Sequence, residues 1–105
     1  MNYNGMLKEG SLEGKVVLIT GGGTGLGKSM GKYFMELGAN IIITSRKQDV
    51  LDKTAEEFSK YPSKVLPIPG DVRDHKDVKR VISESLHEFG KIDCLLNNAA
   101  GNFIS

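Results

Sequence analysis

Residues 15–29 read KVVLITGGGTGLGKS: a short β-branched run that stops at five glycines between Gly21 and Gly27, followed by helix-forming residues. The run Lys15–Thr20 has the length and composition of a buried strand. Glycines crowd a strand-to-helix turn when the backbone must take positive φ and approach an anion closely. The helix start beyond then offers unpaired N–H groups and the positive end of its dipole. A ligand-free connection would carry the entropic cost of these glycines without a packing return. Two anion-binding readings compete. Gly22–Ser29 satisfies the G-x-x-x-x-G-K-[ST] phosphate loop of nucleoside triphosphatases, with Lys28 as its lysine. That reading lacks a strand ending in an acid to hold Mg²⁺: Asp71 follows a Pro- and Gly-interrupted strand, and Asp93 precedes its strand. The common dinucleotide pattern G-x-G-x-x-G occurs in no register, but its variant T-G-x-x-x-G-x-G spans Thr20–Gly27.

Working outward, hydrophobic periods alternate between strand and helix. Leu26, Met30, Tyr33, Phe34 and Leu37 recur at helical spacing before Gly38, and Ile41–Thr44 is a second strand. Leu51, Ala55 and Phe58 mark a second helix, closed before Pro62. Val65–Ile68 is a third strand, interrupted by Pro67 and followed by Pro69. Val78, Val81, Ile82, Leu86 and Phe89 form a third helix ended by Gly90, with Asp74 as its better cap, and Ile92–Leu96 is a fourth strand. Strands without alternation, separated by helices, predict an α/β fold with a parallel sheet covered on both faces. Right-handed crossovers make β-α-β-α-β-α-β the first half of a Rossmann-type doubly wound sheet, strand order 3-2-1-4. Residues 1–14 read as a loosely packed leader. Residues 15–105 read as the N-terminal part of a dinucleotide-binding domain, cut after its fourth strand and with that strand's outer side bare. Such an edge invites association.

Composition narrows the partners. A net charge of +1 in 105 residues, with basic and acidic residues interspersed, gives no electrostatic case for nucleic acid or an anionic membrane. No apolar stretch approaches the roughly 20 residues of a membrane span. The lone Cys94, inside Ile92–Leu96, reads as a buried small hydrophobe. MNYNGMLKEG has neither signal nor transit character, so a reducing, cytoplasmic setting is expected.

A dinucleotide fold places a residue about 20 positions after the glycine turn against the adenosine ribose. Here that slot is Ser45-Arg46-Lys47, which contains no carboxylate. A guanidinium fork, a hydroxyl and a further ammonium suit the 2′-phosphate of NADP(H) rather than the 2′-hydroxyl of NAD.

After the fourth strand comes Asn97-Asn98-Ala99-Ala100-Gly101. With Thr20–Gly27 at the end of the first strand, this resembles the short-chain dehydrogenase/reductase family, which carries both motifs at these places. The resemblance implies cofactor roles for Gly21, Gly22, Gly23, Thr24, Gly25, Leu26 and Gly27, and for Asn98, Ala99, Ala100 and Gly101. It also implies that Asp71 meets the adenine amino group and that Val72 adds backbone contacts. The words GGGTGLGK, SRKQDVL, DVRD and NNAAGNFIS look most like the NADPH-dependent 2,4-dienoyl-CoA reductases of that family. This similarity covers residues 11–105 and only the front part of such an enzyme. It implies acyl-CoA contacts for Arg46, Arg73 and Phe103, and a full-length homo-oligomer. Arg73 could also be a surface arginine paired with Asp74 or Asp77, and Phe103 plain core. Asn102 could donate to the charge that develops on a thioester oxygen, or simply fill a turn.

The family's proton donor is a tyrosine with a lysine four residues on, whose ammonium lowers the phenol's pKa. Four residues beyond Tyr3, Tyr33 and Tyr61 stand Leu7, Leu37 and Val65, so the apparatus is missing from these residues. An inactive nucleotide-binding fragment, and a 3-oxoacyl or sugar-alcohol reductase, stay open as alternatives.

Overall fold

A computed structural model describes residues 10–21 and 25–98, and the backbone of 102–104. Strand β1 (Val16–Thr20) leads to helix α1 (Gly25–Glu36), β2 (Asn40–Ser45), α2 (Gln48–Phe58), β3 (Val65–Pro69), α3 (His75–Phe89), β4 (Cys94–Asn97) and β5 (Asn102–Ile104). The sheet order is β3-β2-β1-β4-β5. The first four strands are parallel, in the 3-2-1-4 order read from the sequence.

Continuous apolar runs form β1 and β2 because both faces of the sheet are covered. Val17, Ile19, Ile41 and Ile43 pack with Met35, Leu51 and Phe58 on the α1/α2 side. Val16, Leu18, Ile42 and Ile68 pack with Val81 on the α3 side. β3 tolerates two prolines because it is an edge strand, where a missing N–H breaks no inner ladder. Asp74 caps α3 by accepting the Lys76 N–H at 3.0 Å, and Gly90 ends it in the left-handed region at φ 78°.

Four sequence expectations need correcting. Of the apolar stripe in and after α1, Met30, Phe34 and Leu37 pack on the core, but Leu26 is 66% and Tyr33 42% exposed, whereas Gly27, Gly31 and Met35 are buried. The glycines let the helix lie close to its neighbours. A Cβ on Gly31 would stand 2.9 Å from the Phe58 ring. Leu86, one of the periodic apolar residues that mark α3, is also exposed. Residues 10–14 are not loose, since the Leu12 N–H bonds the Leu37 carbonyl at 2.9 Å and its side chain packs on the α1/α2 core. The outer side of β4 is not bare. Residues 102–104 return antiparallel along it, with Asn102 opposite Asn97, Phe103 opposite Leu96 and Ile104 opposite Leu95.

Cys94 is half-buried against the α1/α2 core, and desolvation pushes its thiol pKa up, away from the reactive thiolate. Beside it, the Asp93 carboxylate ties β4 to β1. It accepts the Val16 N–H at 2.8 Å and pairs with Lys91 at 3.0 Å. The hydrogen bond from Val16 is the main cause holding this carboxyl below its ordinary range. A depressed folded-state pKa stabilises above the unfolded value near 3.9, and that contribution is lost as pH falls through the folded value. Asp93→Asn should therefore lower the melting temperature at pH 7, with the difference from wild type shrinking below about pH 4. A melting-temperature difference constant from pH 7 to pH 2 would refute this role.

Candidate functional site

The carboxyl ends of four parallel strands open on one edge, where a doubly wound sheet receives its ligands. The Thr20 hydroxyl, at the end of β1, donates to the Asn97 side-chain oxygen at 2.8 Å. The Asn98 amide donates to the Gly21 carbonyl at 3.4 Å. The Gly21 N–H donates to the Thr44 carbonyl at 2.8 Å, fastening the turn to β2. Gly21 and Gly25 take φ of 68° and 57°, conformations that side-chain-bearing residues rarely adopt. A Cβ on Gly27 would lie 2.9 Å from the Asn98 amide nitrogen and closer still to the Gly21 carbonyl oxygen. The glycine turn and the Asn97-Asn98 segment are thus one packed unit. Gly22, Gly23, Thr24, Ala99, Ala100 and Gly101 lie outside the described residues.

Two adjoining cavities open beside this unit. One, of about 440 Å³, is lined by Gly21, Ser45, Arg46, Asp71, Arg73 and Asn97. The other, of about 250 Å³, is more apolar and runs between Leu18, Val72, Val78, Val81 and Leu95. Thr44, Gly70, Asp71, Val72 and Asn97 border both. Arg46, in the wall of the polar cavity, and the neighbouring Lys47 are exposed, and Ser45 accepts the Lys47 N–H at 3.3 Å. Thr44 is 1% exposed, and its hydroxyl has no hydrogen-bond partner among the described residues. The sequence reading passed over Thr44 and Gly70. Thr44 lay inside an apolar run, and only the Pro69-Gly70 break hinted at the second.

Asp71 stands on the wall between the cavities. Its carboxylate accepts the Arg73 backbone N–H at 2.9 Å, Arg73 Nε at 3.1 Å and a terminal guanidinium nitrogen at 3.1 Å. Its own N–H donates to Asp77 at 2.8 Å. The Arg73 side chain holds the Asp71 carboxyl below the usual carboxylate range. Arg73 therefore pairs with Asp71, not with the Asp74 or Asp77 weighed from the sequence. Asn102 and Phe103 lie on β5, so Asn102 is a strand residue level with Asn97 and not a turn.

Lys28 has a partner outside the glycine turn. It is ion-paired with Glu57 of α2, which it holds below the ordinary glutamate range. A separate hollow of about 760 Å³ lies at the opposite end of the sheet, by Leu37, Gly38 and Tyr61. Its Glu13 and Glu36 carboxylates would face any phosphate entering it. Among the described residues, no group of three or more His, Cys, Asp or Glu could hold a metal ion. No described helix is long and apolar enough to cross a membrane.

Comparison with known proteins agrees with this geometry. A probable 2,4-dienoyl-CoA reductase of Caenorhabditis elegans is 44% identical over 94% of this chain and 33% of its own length. A probable 2,4-dienoyl-CoA reductase of Bacillus subtilis (strain 168) is 41% identical over 89% of this chain and 37% of its own. The chain therefore spans about a third of the length of these curated relatives. A 3-ketoacyl-(acyl-carrier-protein) reductase from Brucella melitensis, solved with NADH, superposes with a TM-score of 0.74. It is 37% identical over 81% of this chain and 34% of its own. The family model described as short chain dehydrogenase matches residues 15–104, and the chain belongs to that family.

Proposed function

We propose that this chain is the NADP(H)-binding part of a short-chain oxidoreductase that reduces a 2,4-dienoyl-CoA to an enoyl-CoA. The observation that carries the reading is the 440 Å³ cavity beside the joined motifs, with Arg46 and Ser45 in its wall and no carboxylate in the ribose slot. The residues present fit a dinucleotide. The buried Thr44 hydroxyl, without a hydrogen-bond partner among the described residues, borders the cavity beside the glycine turn. When bound, the nicotinamide supplies the hydride of NADPH + H⁺ + dienoyl-CoA → NADP⁺ + enoyl-CoA.

This chain's residues bind and orient. The Gly21–Gly27 turn and the α1 N-terminus take the pyrophosphate. Arg46, Ser45 and Lys47 take the 2′-phosphate, while Asp71 accepts from the adenine amino group beside the Val72 backbone. The family resemblance gives Asn98, Ala99, Ala100 and Gly101 further contacts with the cofactor. The family resemblance gives Asn102 the role of donor to the thioester oxygen and gives Arg46 and Phe103 contacts with the acyl-CoA, while the Arg73 fork is already engaged by Asp71. The names of the nematode and Bacillus relatives support the dienoyl-CoA substrate. The 3-ketoacyl reductase likeness supports a 3-oxoacyl substrate as the second reading.

The test is titration of NADPH and NADH into the purified chain, wild type and Arg46→Ala. Losing a charge-assisted contact to phosphate costs about 1.5–3 kcal/mol, or roughly one to two decades in affinity. NADPH should bind more tightly than NADH, and Arg46→Ala should erase the difference. Equal binding of the two by wild type, or Mg-dependent ATP hydrolysis lost in Lys28→Ala, would overturn the assignment.

A further inference from the structure

We propose that Arg73 is a positioning residue, which holds the Asp71 carboxylate in the orientation that reads the amino group of the nucleotide base. This rests on the nucleotide-binding reading above. Three donors from one residue fix Asp71: the Arg73 backbone N–H and Nε on Oδ1, and a terminal guanidinium nitrogen on Oδ2. Two parallel N–H···O bonds from a planar fork set the plane of a carboxylate as a single ammonium does not. Behind it, the Asp71 N–H is tied to Asp77, so the backbone is fixed as well.

Stability does not account for the pair. The Arg73 and Asp71 side chains are 70% and 30% exposed, and ion pairs this open contribute little to folding. The arrangement instead determines what the cavity wall presents. Among the described residues, Oδ1 accepts two hydrogen bonds, both from Arg73, and Oδ2 accepts one. A carboxylate oxygen can accept two, so Oδ2 keeps capacity for an incoming donor. Asp71 borders both the polar and the apolar cavity, where a flat base with a donor on its edge has a place for its ring and a partner for its amine. A base carrying a carbonyl at that edge would set oxygen against carboxylate, with no proton between them. Adenine has the amine; hypoxanthine has the carbonyl.

The experiment measures dissociation constants of NADPH and its hypoxanthine analogue, reduced nicotinamide hypoxanthine dinucleotide phosphate. They are measured for the wild-type chain, Arg73→Ala and Arg73→Gln, alongside thermal melts. Wild type should prefer the adenine form by roughly tenfold, the worth of one hydrogen bond to a charged acceptor. Both variants should melt like wild type and lose at least about threefold of that preference. A variant that weakens both dinucleotides equally would show a merely structural role and overturn the proposal. An adenine preference unchanged in both variants would also overturn it. Wild type binding NADPH without discriminating the bases would remove base reading by Asp71, leaving the cofactor assignment intact. Wild type binding neither dinucleotide would remove that assignment itself.

Discussion

Gly27→Ala should lower the melting temperature of the chain by about 4–20 °C and abolish measurable NADPH binding. The added methyl has no space. It would press on the Gly21 carbonyl oxygen and stand 2.9 Å from the Asn98 amide nitrogen, and both atoms belong to the unit that joins the two motifs. Relief requires α1 to withdraw from the sheet or the turn to move away from Asn98. Overpacking of this kind costs about 1–3 kcal/mol, which corresponds to several degrees per kcal/mol in a domain this small. Either movement displaces the helix start from the phosphate position. Asn98→Gly in the same chain should recover only part of the stability, because the clash with the Gly21 carbonyl remains. A Gly27→Ala chain that melts within 1 °C of wild type and binds NADPH unchanged would refute the close packing.

Incubated with NADPH and a 2,4-dienoyl-CoA, the chain alone should turn over at least about 10²–10³-fold more slowly than a full-length dienoyl-CoA reductase. That is the effect of losing a single donor to a developing oxyanion. The described tyrosines cannot stand in for the proton donor. Tyr61 lines the hollow at the far end of the sheet, and burial with Glu36 nearby pushes its phenol up, where proton donation calls for a lowered pKa. Lys60 lies over its ring, 5.3 Å from the centroid. Tyr33 is 42% exposed on α1, on a helix whose buried face carries Gly27, Gly31 and Met35. Nicotinamide absorbance followed beside the full-length control checks the point. Turnover within tenfold of that control would place the proton donor inside these residues.

The sequence by itself determined the order of elements and the parallel 3-2-1-4 sheet. Strands buried on both faces must be apolar throughout, and Val16–Ile19 and Ile41–Ile43 are. It also located the glycine turn and the Asp74 cap, because each depends on residue types within a few positions of one another. The rotation of α1 was not legible. A hydrophobic stripe points to Leu26 and Tyr33, whereas close approach is made by absent side chains at Gly27 and Gly31, which periodicity cannot weigh. Thr20 and Asn97 are 77 residues apart, and only the β1–β4 register makes their motifs one site. Lys28 matched a phosphate-loop lysine letter for letter, yet α2 packs beside α1 and supplies Glu57 as its partner. For Arg73 the sequence offered Asp74 and Asp77, but the turn into α3 presents Asp71 to its fork instead, with Asp77 engaged by the Asp71 N–H. Each of these outcomes depends on which of several chemically equivalent partners the folded chain brings within hydrogen-bond reach, and only tertiary structure sets that distance.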